Sequence, residues 1–203
     1  MSKPIIAKTI SYLLHPLYMP TIGVLIIIYL SPHLAIFISP PVIQTISLTM
    51  LLLTLTCPVL ATIYVIRKRK ITTLQLENHR ERLVPLTYTL LFYTLTCSLL
   101  KIIPGVPLII YLYVLGSTAT VLAALLINYK WKISTHMMGI GGVVGMLIAL
   151  SYILMENLEM LILPAVLIAG IIGYARLKLN AHTPEQVLAG FTIGVLSQFI
   201  LFV

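Results

Sequence analysis

Of 203 residues, 60% are hydrophobic and only 9% charged, and the mean hydropathy is +1.08. So little polar surface excludes a water-soluble enzyme or binding module and leaves an integral membrane protein. The net charge of +8 does not call for nucleic acid, because juxtamembrane Lys and Arg are attracted to anionic lipid headgroups at roughly 1 kcal/mol each, and no aromatic-interleaved basic surface accompanies it.

A span needs about 20 mostly apolar residues, and helices satisfy their own backbone polar groups in the bilayer without closing a barrel. Seven such helices are predicted. Lys3 and Lys8 precede the first apolar run, but no small-x-small cleavage site ends it, so it is expected to be retained. The first span falls within 12–38, its limits blurred by Pro16, Pro20 and Ser31-Pro32-His33. Ser39-Pro40-Pro41 reads as a turn, and 42–66 is the second span. Arg67-Lys68-Arg69-Lys70 stops it, and a polar segment through Glu77-Asn78-His79-Arg80-Glu81-Arg82 runs to Pro85. The third span, 86–103, closes at Pro104-Gly105-Val106-Pro107, and the fourth covers 108–128. A polar stretch from Tyr129 to His136 leads into a fifth span ending near Met155. Glu156 and Glu159 lie in the next loop, the sixth span ends near Ala175, and the seventh runs from Thr183 to the C-terminus. Nothing marks a second domain or a repeat, so 1–203 reads as one all-α, polytopic membrane helical bundle.

Two spans separate each polar segment from the next. Segments 67–85, 129–136 and 176–183 therefore share the face of the N-terminus. Of the 13 Lys and Arg residues, only Lys101 falls near the other face. The positive-inside rule then predicts a cytoplasmic N-terminus and site face, in the bacterial inner (plasma) membrane.

Around the seventh span, Thr183 reads as an N-cap, Pro184 as the first helical residue, and Gln186 as the end of a Thr-x-x-Gln capping box. His182 precedes a helix start, where free N–H groups favour an anion, and Arg176 lies six residues before it. Ser134-Thr135-His136 opens another helix on the same face. Gly141 and Gly145 form a small-xxx-small packing pair, Trp131 reads as an interface anchor, and Cys57 and Cys97 read as packing residues. Five scattered His, two Cys and no Asp offer no metal site.

These residues resemble the signature motifs of the type 2 phosphatidic acid phosphatase superfamily. Ile133-Ser134-Thr135-His136 is similar to its Pro-Ser-Gly-His motif, and Arg176, His182 and Gln186 to Ser-Arg-x5-His-x3-Asp. Arg80-Glu81-Arg82-Leu83-Val84-Pro85 is a loose counterpart of Lys-x6-Arg-Pro. The resemblance covers about 67–203. It implies a six-helix phosphatase-like core that hydrolyses a lipid phosphomonoester or pyrophosphate through a phosphohistidine, with no metal and no cofactor. His182 would be the nucleophile and His136 the general acid. Arg176, Ser134 and one of Arg82 or Arg80 would hold the phosphoryl oxygens. Gln186 stands where the family has the aspartate that orients the nucleophile; it reads either as an orienting residue or as a capping residue. The expected partners are a lipid phosphate substrate and membrane lipids. A family relative that binds a phospholipid headgroup or acts as a scaffold without turnover is the alternative. A small transporter fits less well, because the spans lack buried ionisable residues.

Overall fold

The computed structural model describes residues 4–30, 38–67 and 82–202. Those residues are all-α and contain seven helical stretches long and apolar enough to cross a membrane. The chain is a polytopic integral membrane protein. Its elements are α1 (Ile5–Leu13), a 3-10 turn (Pro16–Tyr18), α2 (Met19–Leu30), α3 (Pro40–Arg67), α4 (Leu83–Ile102), α5 (Leu108–Asn128), α6 (Thr135–Leu154), α7 (Glu159–Lys178) and α8 (Pro184–Phe202).

Several boundaries depart from expectation, each for a local reason. The first apolar stretch begins at Ile5 rather than within 12–38, and it breaks before Pro16, whose ring disfavours helical backbone at the preceding residue; His15 is extended, with ψ 140°. Pro40 and Pro41 start α3 instead of forming a turn, since Pro is tolerated in the first helical turn. Pro85 likewise lies inside the first turn of α4. α7 continues past Ala175 to Lys178, where Arg176 and Lys178 complement the negative helix end.

The chain divides into two compact units: 1–19 with 132–203, and 20–131. In the second, α3 packs on α4 and α4 on α5. Its interior includes Tyr93 and Tyr113, and Gly23 lies directly against the Tyr113 ring. A π-helical turn spans Leu51–Thr56 of α3, where Thr56 Oγ1 donates to the Leu51 carbonyl. Cys97 Sγ lies 3.3 Å from Thr118 Oγ1, and both cysteines are free thiols.

In the first unit α6 is central. Of its most apolar window 67% is buried, against 17–39% for the other spans, whose exposed Leu, Ile and Val suit contact with lipid. Its principal partner is α8, with α7 on another side, while α1 packs on α7 and the 3-10 turn on α6. Four glycines set the α6–α8 approach. Gly141 and Gly145 of α6 lie against the carbonyls of Phe191 and Val195, and Gly194 of α8 against that of Met138. At Gly190 a Cβ would stand 2.7 Å from the Ser134 carbonyl oxygen. Backbones can approach this closely only where the residue facing the other helix's carbonyl lacks a Cβ. The expected Gly141/Gly145 pair is thus half of a two-sided seam, and this seam brings the N-terminal ends of α6 and α8 together.

Candidate functional site

At the start of α8, the backbone N–H of Thr183 donates to Gln186 Oε1 at 3.3 Å, which is the glutamine half of a capping box. The same oxygen lies 3.0 Å from His182 Nδ1. Because the Thr183 N–H can only donate, the atom facing it is the amide oxygen, and His182 must therefore carry its proton on Nδ1. That tautomer leaves the lone pair on Nε2. Gln186 Oε1 thus caps the start of α8 and also holds one ring nitrogen of His182. Its backbone carbonyl also accepts from the Ser134 N–H at 3.4 Å, which ties the starts of α6 and α8 directly.

Ser134 stands at the N-cap of α6, yet its side chain makes no capping bond. The residue is fully buried, and Oγ has no hydrogen-bond partner among the described residues. A buried hydroxyl left without a partner costs about 1–3 kcal/mol, so its retention needs a reason. Arg176, in the last turn of α7, presents a comparable case. Nη1 donates to Ser11 Oγ at 3.1 Å, whereas Nε is buried with no partner among the described residues.

His136 lies in the first turn of α6. Its Nε2 is 3.0 Å from the Ser11 carbonyl oxygen, which can only accept, so Nε2 carries the proton. His15 meets the His136 ring edge-on, with centroids 5.4 Å apart and planes at 76°. The Leu17 N–H donates to His15 Nδ1 at 3.4 Å, which puts the His15 proton on Nε2. Arg176, His15 and His182 all lie within electrostatic reach of His136. The result is a buried basic cluster suited to an anion.

The structure therefore brings together His182, Gln186, Ser134, His136 and Arg176. Arg82 belongs to the second unit, where it is the buried N-cap residue of α4. Arg80 lies outside the described residues, as do Glu77, Glu81, His33 and His79. Among the described residues no group of three or more His, Cys, Asp or Glu could hold a metal. Two members of the cluster, Ser11 and His15, escaped sequence reading. The available signal was slight: a hydroxyl and an imidazole four residues apart, just before Pro16. Comparison with protein families, with curated proteins and with solved structures finds no match to this chain.

Proposed function

We propose that the chain is a membrane lipid-phosphate phosphatase, a divergent relative of the type 2 phosphatidic acid phosphatases, working through a phosphohistidine. The observation that carries this reading is the pair Ser134 Oγ and Arg176 Nε: buried polar atoms with no partner among the described residues, beside neighbouring imidazoles. A tetrahedral oxyanion supplies the acceptors that these atoms lack.

In the proposed reaction His182 Nε2 attacks phosphorus as the bond to the leaving oxygen breaks, and His136 gives that oxygen a proton, releasing the lipid alcohol from a monoester or the lipid monophosphate from a pyrophosphate. Water then attacks the phosphohistidine and passes a proton to His136. Inorganic phosphate leaves and His182 is restored. Arg176 and the Ser134 hydroxyl hold the equatorial oxygens, and the N-terminal ends of α6 and α8 add oriented N–H donors. Arg176 supplies positive charge of the kind that a metal ion supplies elsewhere. Candidate substrates are phosphatidic acid, phosphatidylglycerophosphate, a polyprenyl pyrophosphate or a phosphorylated glycolipid, entering from the bilayer with its tail between helices.

The test is phosphate release from these four lipid classes by the detergent-purified protein in the presence of a chelator. Wild-type turnover that disappears in both His182→Ala and His136→Ala is the expected result. Gln186 favours a second reading, a headgroup-binding relative without turnover, because a neutral amide stabilises the imidazolium of an attacking histidine less than a carboxylate does. Lipid binding with no release from any lipid would select it.

The charge bias supports a cytoplasmic site face, in the proposed setting of a bacterial plasma membrane. Lys130 and Asn157 are exposed near opposite ends of the spans, whereas Asn128 is buried. In a background lacking Cys57 and Cys97, an impermeant thiol reagent added to intact cells is expected to modify Asn157→Cys and spare Lys130→Cys. The reverse pattern would invert the orientation.

A further inference from the structure

We propose that Ser11, in the N-terminal helix α1, is a positioning residue of this site, holding the phosphate-binding arginine and the general acid at once. The inference rests on the phosphatase reading above.

Ser11 is 8% exposed and reaches both residues by different atoms. Its Oγ accepts from Arg176 Nη1 at 3.1 Å, and its backbone oxygen accepts from His136 Nε2 at 3.0 Å. Anchoring Nη1 turns the opposite edge of the guanidinium, Nε with Nη2, toward a ligand. Nε is the atom left buried without a partner. That edge is a two-donor fork that matches two oxygens of one phosphoryl group. The carbonyl bond at Nε2 of His136 leaves Nδ1 as the nitrogen that exchanges the proton. Ser11 thus does for His136 what Gln186 does for His182: each fixes one ring nitrogen with a neutral oxygen and so selects the other for chemistry.

Ser11 could instead be a plug occupying the place of substrate oxygens, but α1 is seated in a packed cluster. Ala7 and Ile10 pack against Ala175, Leu179 and Ala181, with Ala175 fully buried. Withdrawing α1 would expose that cluster and remove the anchor of Arg176. The two roles predict opposite signs, which makes the test direct.

The experiment compares the full-length wild type with Ser11→Ala, Ser11→Thr and Ser11→Cys in detergent. It uses the lipid phosphate hydrolysed fastest by the wild type, and orthovanadate as a phosphate-mimicking inhibitor. Loss of one hydrogen bond to a charged group corresponds to about a tenfold effect. For Ser11→Ala, kcat/KM is expected to fall about tenfold, with KM raised and orthovanadate inhibition weakened by a similar factor. Ser11→Thr should restore both. A purely structural role would lower Tm and the folded fraction but leave KM and inhibition per folded molecule unchanged, and that result would overturn positioning. Equal or faster turnover in Ser11→Ala would overturn it too, the faster case selecting the plug. If Ser11→Ala does not fold, Ser11→Cys, close in volume and a weaker acceptor, is expected to shift KM and inhibition in the same direction; unchanged values there reject the inference. No release by the wild type from any lipid phosphate rejects the phosphatase reading and this inference together, whereas release with unaltered variants rejects only the latter.

Discussion

The helix starts of α6 and α8 meet the same requirement from different distances along the chain. Each carries an imidazole, and each imidazole has one ring nitrogen held by a neutral oxygen. At α8 that oxygen comes from Gln186, four residues beyond His182 and within the first turn of the same helix. At α6 it comes from Ser11, 125 residues before His136. The capping side chains differ as well: Gln186 satisfies a backbone N–H at its own helix start, whereas the Ser134 hydroxyl at the N-cap of α6 is left over. A local orienter is secured wherever the helix forms, because one turn brings i and i+4 together. A remote orienter is secured only while α1 stays docked on α7. The α8 start should therefore be the sturdier half of the site, and the α6 start the half sensitive to changes far from it.

The local half breaks most sharply at Gln186. Gln186→Leu removes the acceptor of both Thr183 N–H and His182 Nδ1–H, and turnover is expected to fall about 100-fold, the upper range for losing a hydrogen bond to a charged group. Gln186→Glu keeps the geometry and adds the charge that stabilises a histidinium; it is expected to raise kcat about tenfold, and a fall would show that the amide is required as such. Both are read as steady-state phosphate release.

The seam between the two starts comes next. Gly190→Ala places a methyl 2.7 Å from the Ser134 carbonyl and 3.2 Å from Met137 Cβ. Overpacking of this kind costs about 1–3 kcal/mol, so a lower Tm in detergent is expected together with reduced turnover. The smallest effect is expected at Gly170 of α7, where a Cβ would meet nothing within 4 Å. Gly170→Ala should leave turnover unchanged and leave Tm equal or slightly raised, since alanine is favoured in a helix by about 1 kcal/mol. Equal effects at Gly190 and Gly170 would show that the seam does not set the site.

The fold was largely legible because spans are long and hydropathy is additive along them. The fourth was bounded at 108–128 from sequence, and α5 covers Leu108–Asn128. Boundaries failed where a polar or proline residue was taken for a loop although the helix could absorb it: Pro40 in a first turn, Arg176 in a last one. Within the site, the linkage of His182 to Gln186 was legible as a choice between capping and orienting. In the structure one oxygen accepts from both donors, so capping and contact with the ring coexist. Ser11 and His15 were not legible, because neither stands in a motif and their partners lie far away in the chain.

By itself the sequence determined the membrane class, the seven long apolar helices found among the described residues and the local geometry of the α8 start. Each of these depends on composition or on residues within a turn of one another. Only the tertiary structure decided that Ser11 holds Arg176 across 165 residues and His136 across 125. It alone also decided that the Ser134 hydroxyl finds no partner among the described residues while the four-glycine seam presses two helix starts together. Those outcomes follow from which small side chains let backbones approach, and sequence spacing carries no record of which helix will be on the other side.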